Sequence, residues 1–246
     1  MKVLQLGVVA LSCLSLSACL GSSNSDDAPA AETPSFSSSG VYQGLLLTDA
    51  GEPLWATALV TEQGPVLGLV RTADDQLLGL FQAQPSAQGP AQGSWLAQGE
   101  LPEDLSLAVQ DLNADSWQGS FSTQALQGDW QLQQYTSAQP LTAEGRYTLM
   151  FADTASVLTL AADQRFSLEN PDCQLQGQWQ QHATEGTPIL SLQVEQQQGC
   201  TLLGELQQLQ AYTQDDALVD QPLLQLLWRS EQQAGASYLF RSQNPE

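Results

Sequence analysis

One histidine, four cysteines and several close-set acids are the residues of this chain that could carry chemistry. General acid–base catalysis near neutral pH most often uses histidine. The only one is His182, in Gln180-Gln181-His182-Ala183-Thr184-Glu185-Gly186, a stretch that reads as a loop. No Gly-x-Ser-x-Gly motif and no orienting acid at a strand end accompanies it, so the reading is a surface histidine and no catalytic residue is assigned. A zinc site fails for the same shortage of ligands. Acids stand side by side at Asp74-Asp75, Glu103-Asp104 and Asp215-Asp216. A glycosidase needs two carboxyls facing each other across a cleft, one with a raised pKa, whereas adjacent acids in turn-like contexts are solubilising. Asp111-x-Asn113-x-Asp115 alternates three oxygen side chains that could converge on calcium. Ser116 stands where such a loop requires glycine, and Ser122 where it requires a bidentate glutamate, so a turn built on Asn and Asp is expected and no metal. There is no phosphate-binding glycine loop, no dinucleotide fingerprint and no Cys-x-x-Cys, so no cofactor is implied.

Two of the cysteines belong to the beginning of the chain. Residues 1–18 place Lys2 ahead of an apolar stretch from Val3 to about Leu16, the layout of an export signal. Serines interrupt the stretch, and it falls short of the roughly 20 apolar residues that a spanning helix wants. Leu16-Ser17-Ala18-Cys19 resembles the lipobox of bacterial lipoproteins. That resemblance implies cleavage before Cys19, lipidation of its thiol and membrane attachment through several acyl chains, since one chain holds only marginally. Leu20 would then follow the lipidated cysteine, where inner-membrane lipoproteins typically carry Asp, so the resemblance implies an outer-membrane destination, facing either periplasm or exterior.

Cys13 leaves with the signal, and Cys173 and Cys200 remain. An even pair in an oxidising compartment reads as a disulfide, worth about 3.5 kcal/mol by the chain-entropy argument.

The elements that must position these residues are strands. Residues 20–39 are mostly Ser, Asn, Asp, Ala, Pro and Gly with one aromatic, Phe36, and read as a tether reaching up to about 60 Å if extended. Beyond Gly40, short runs with apolar residues two apart alternate with turn clusters, the signature of antiparallel meanders. Candidate strands are Val41–Leu47, Trp55–Val60, Val66–Val70, Leu77–Ala83, Ser94–Gln98, Trp117–Thr123 and Trp130–Tyr135, then Tyr147–Phe151, Val157–Ala161, Arg165–Leu168, Cys173–Trp179, Ile189–Val194, Cys200–Leu206, Leu223–Arg229 and Tyr238–Arg241. Pro102–Leu112 fits either a short helix or a strand, and the Asn113-Ala114-Asp115 turn behind it favours a strand.

The alternation lapses over Thr136–Glu144, which divides the body into a first β domain, 40–137, and a second, 138–246, carrying the disulfide. The fold class is all-β, two barrel-like or sandwich-like meanders, because closure removes exposed sheet edges. Gly-x-aromatic units recur at Gly40-Val41-Tyr42, Gly93-Ser94-Trp95, Gly119-Ser120-Phe121 and Gly145-Arg146-Tyr147. Such a glycine leaves room for a ring to cover backbone and lets a sheet coil. Gly-x-Trp near a first strand is loosely similar to lipocalins, which implies a small barrel and no particular ligand.

The precursor carries six basic and 27 acidic residues. Without Lys2 the balance is 5 − 27 = −22, which excludes nucleic acid as a partner and disfavours anionic lipid surfaces. Glutamine fills polar runs such as Gln131-Leu132-Gln133-Gln134, Gln174-Leu175-Gln176 and Gln196-Gln197-Gln198. The functional expectation is a non-catalytic envelope lipoprotein, held to the membrane by lipid on Cys19, that binds an envelope protein or glycan or helps an assembly. A carboxylate-dependent hydrolase or carbohydrate-active enzyme is the second reading, and a purely structural lipoprotein the third.

Overall fold

A computed structural model describes residues 36, 38–62, 64–86, 89–97, 100–113, 115–138, 142–182, 186–200, 204–206, 208–215, 223–230 and 233–242. The expected signal and Cys19 lie outside them. In chain order the strands are β1 Gly40–Thr48, β2 Pro53–Val60, β3 Val66–Arg71, β4 Leu77–Gln84, β5 Ala91–Ala97, β6 Glu103–Leu112, β7 Ser116–Ser122, β8 Gln127–Gln134, β9 Gly145–Phe151, β10 Thr154–Leu160, β11 Arg165–Asn170, β12 Cys173–His182, β13 Ile189–Gly199, β14 Gln208–Gln214, β15 Leu223–Arg229 and β16 Ala234–Arg241. Each strand pairs antiparallel with its sequence neighbour. β8 returns to β1 and β16 returns to β9, so two eight-stranded up-and-down barrels close.

All eight strands expected before residue 137 form, and Pro102–Leu112 supplies one of them as β6. Its helix-like spacing has a physical origin. Leu105 and Leu107 point inward in strand phase, and a bulge between Val109 and Asp111 shifts the register so that Leu112 also packs on the interior. After residue 137, one expectation is corrected: the described residues of Cys200–Leu206, Cys200 and 204–206, are not in a strand. Gly199 (φ 70°) and Cys200 (φ 54°) are both left-handed and end β13, so the ladder cannot continue through them. The side chain of Gln197 spans the turn instead, its Nε2 donating to Gly204 O (2.7 Å) and its Oε1 accepting from Leu206 N (3.1 Å). Leu206 still reaches the core, and the next strand is β14.

Alternation decides which face is buried. β8 shows it plainly: Gly128, Trp130 and Leu132 face inward, while Gln127, Asp129 and Gln131 face solvent. Inside the first barrel, Tyr42, Phe81, Trp95, Trp117, Phe121 and Trp130 fill the lumen, with Trp117 and Trp130 centroids 4.6 Å apart. Phe36 lies against Trp117 at 5.8 Å, and the Tyr42 hydroxyl hydrogen-bonds to Ser38 Oγ (3.0 Å). The last residues of the expected tether are therefore part of the barrel. Glycine serves the aromatics in two ways: at Gly40 the ring two residues along, Tyr42, lies 3.5 Å from where a Cβ would stand, while at Gly119 and Gly68 the ring comes from the neighbouring strand. A Cβ on Gly68 would meet the ring of its cross-strand partner Phe81 at 2.1 Å and Thr57 O at 2.6 Å.

The barrels pack together within one unit, residues 33–246. Val41, Leu59, Leu67, Leu69 and Leu80, on the outer surface of the first barrel, form a cluster with Ile189, Tyr212 and Leu227 on the outer surface of the second. Arg229 adds hydrogen bonds from its two Nη atoms to Ser94 O and Oγ, both 2.7 Å.

Candidate functional site

Each residue type that could do chemistry has a place in this framework. Cys173 and Cys200 are bridged, with Cα atoms 4.4 Å apart, and both sulfurs sit in the core of the second barrel. Cys173 opens β12 opposite Gly199, and Cys200 donates its amide to Asp172 O (2.8 Å).

His182 is the last residue of β12 and not part of a loop. Its Nε2 is 2.9 Å from Ser191 Oγ. Burial holds the imidazole below its ordinary pKa, against a smaller opposing pull from Glu62. A working serine–histidine pair also needs a carboxylate on the other ring nitrogen. Among the described residues no carboxylate is hydrogen-bonded to His182.

One acid of each pair is engaged locally. Asp75 (φ 61°) forms a turn and an ion pair with Arg71 at 2.8 Å. Glu103 Oε2 accepts from the amides of Gln124 and Ala125, both 3.1 Å, and so pins the β7–β8 turn. Asp215 accepts from Ser137 Oγ (2.6 Å) and Ala138 N (2.8 Å), and its own amide donates to the Tyr135 hydroxyl (2.7 Å). Desolvation pushes its pKa up, but hydrogen bonds to the carboxylate from Ser137, Ala138 and Tyr135 hold it below the usual carboxylate value. Asp215 thus clasps the segment joining the two barrels. Asp216 lies outside the described residues.

Asn113 shows what the alternating cluster is for. Its Oδ1 accepts from the amides of Asp115 (2.8 Å) and Ser116 (2.9 Å), and its Nδ2 donates to Asp111 Oδ2 (3.0 Å). The oxygen a cation would require is engaged by the turn.

One exposed surface is apolar. On β1, Gln43, Leu45 and Leu47 face outward; on β2, Pro53, Trp55, Thr57 and Leu59 do. Register sets Leu45 directly opposite Trp55 and Leu47 opposite Pro53. The second barrel covers one end of this double row at Val41 and Leu59, where Gln43 Nε2 donates to the Tyr212 hydroxyl (3.3 Å). The other end is open, with Leu45 at 45%, Leu47 at 54% and Trp55 at 54% exposure. The other five tryptophans are at most 8% exposed. Leu47 also lies opposite Asp129 on β8, and Asp49 and Glu52 are exposed in the β1–β2 turn. The sequence expectation located both strands and missed this site. Its signal was Leu45-Leu46-Leu47, a strand apolar on both faces within a protein whose other outward positions are glutamine-rich.

No family model matches the chain, and no curated protein or solved structure is significantly similar to it.

Proposed function

We propose that the chain is a non-catalytic lipoprotein of the bacterial envelope, anchored through Cys19, that binds or helps assemble a partner. The observation that carries the binding part is the open end of the β1–β2 face, where Leu45, Leu47, Pro53 and Trp55 meet solvent. Contiguous apolar surface beyond the scattered single residue marks interaction sites on soluble domains. His182, Asp75, Glu103, Asn113 and Asp215 are each bound into a turn or strand end, which supports a binding role over hydrolysis.

The barrels suit an aqueous compartment. Spanning barrels are apolar outside and polar within. Here the lumens hold Trp, Phe, Tyr and Leu, and outward strand positions carry residues such as Gln174, Gln176, Gln178 and Gln180. Attachment then falls to the lipid expected on Cys19.

The test is processing. Globomycin, which blocks the lipoprotein signal peptidase, should make uncut precursor accumulate, and Cys19→Ser should move the protein from the membrane to the soluble fraction. Unchanged size and fractionation in both experiments would overturn the anchored reading.

A further inference from the structure

We infer that the open end of the β1–β2 face docks a protein partner whose apolar contact is ringed by lysine and arginine. The proposal deepens the binding reading by naming the surface and the chemistry of its occupant. The face is continuous with an interface the molecule already makes: the same two strands bury Val41 and Leu59 against the second barrel, and then run past its edge. Trp55 stands in the middle of the open part. It is flanked by Leu45 across the strand and by Arg71 on β3, whose guanidinium is neutralised by Asp75. A tryptophan amid aliphatic neighbours is the composition of an interface anchor, which gains from burial and excludes water from polar contacts around it.

The rim selects the occupant. Asp129, Glu52 and Asp49 are exposed around Leu47, and the body as a whole is strongly acidic. A second copy would bring an equally acidic rim to the contact, and like charges brought together are unfavourable. An anionic lipid surface is repelled in the same way. A protein surface with an apolar centre and basic surround meets both parts of the site, and its encounter would be accelerated by charge.

The experiment introduces a photo-crosslinker in cells producing the full chain, as Trp55→p-benzoylphenylalanine, with Gln176→p-benzoylphenylalanine on the second barrel as the control. A discrete protein adduct at 55 that is missing at 176 is expected. Binding of that purified protein should weaken about tenfold or more with Trp55→Ala. It should also weaken with rising salt, and Asp129→Lys with Glu52→Lys should reduce that salt dependence. Both sets of side chains are exposed, so unchanged melting of the variants separates binding from folding.

Adducts to phospholipid alone, a self-adduct, no adduct, or a partner indifferent to salt and to the rim substitutions would each overturn the proposal. Fractionation of the same cells keeps the two readings apart. A membrane-anchored chain without a 55-specific adduct removes the docking surface and leaves the anchor standing.

Discussion

At the residue scale, the polar groups of this protein are most informative where they are buried. Tyr212 projects from β14 into the contact between the barrels; its hydroxyl donates to Gln225 Oε1 and accepts from Gln43 Nε2. Burial pushes its phenol well above the ordinary value, outweighing the opposing hydrogen bond from Thr57 and the Arg71 charge. Tyr147 and Tyr135 are raised for the same first cause. The unfolded chain gives up these protons near pH 10 while the folded one holds them. The stability they confer is therefore complete below about pH 10 and declines as pH rises beyond it. Urea midpoints should stay level from about pH 8 to 9 and fall steadily above about pH 10. Tyr212→Phe should lower the midpoint at pH 8, because Gln225 and Gln43 lose their partner, yet flatten the alkaline decline. An equally steep decline in the variant would show that Tyr212 does not carry the effect.

At the scale of elements, closure is uneven. The β1–β8 seam pairs seven residues on each strand, from Tyr42↔Gln134 to Thr48↔Gly128, while among the described residues β9 and β16 pair at Thr148↔Phe240 and Tyr147↔Arg241, with one more backbone bond from Ser242 N to Arg146 O (2.8 Å). β16 also packs its outward Ala234 and Ala236 on the inter-barrel cluster, so its course answers to two neighbours at once. Where the ladder stops, Met150 and Phe240 are exposed, and the Ser237 hydroxyl hydrogen-bonds to Met150 O in place of a backbone donor. Amide exchange at the β9–β16 seam should accordingly be faster than in β12–β13, where the long ladder is closed off by the Cys173–Cys200 bridge. Equal protection at both places would contradict this. Period-two alternation made most strands legible, because one face of each had to fill a lumen. It misplaced β14 for a definable reason. Cys200-x-Leu202-x-Gly204-x-Leu206 has strand spacing, but two consecutive left-handed residues, invisible in side-chain pattern, had already turned the chain. The docking face was legible only in part, since Leu45-Leu46-Leu47 announces two apolar faces without saying which of them a second barrel covers.

At the scale of the whole molecule, the two barrels share a core of their own, and that determines how they unfold. Leu59, Leu67, Leu69 and Leu80 of the first barrel are at most 6% exposed although all four face away from their own lumen. Separating the barrels would bare them together with Ile189, Tyr212 and Leu227, and each such side chain is worth roughly 1.5–3 kcal/mol when removed from water. The loss rivals the total stability of an ordinary domain, about 5–15 kcal/mol, so neither barrel should persist once the other unfolds. Thermal melting of the two-barrel body is expected as one transition, and reduction of the bridge should lower that transition as a whole. Gln210 gives an independent test of the same contact. It is 1% exposed, sits on the outward face of β14 opposite Leu227, and neither polar atom of its amide has a partner among the described residues. A buried amide without hydrogen bonds costs about 1–3 kcal/mol, so Gln210→Leu should raise the single melting temperature. Leu69→Asp should do the opposite, placing an unpaired charge in the shared cluster and splitting the transition into two. Two transitions in the unmodified protein, or a Gln210→Leu variant that melts lower, would show that the barrels are held by something other than this apolar contact.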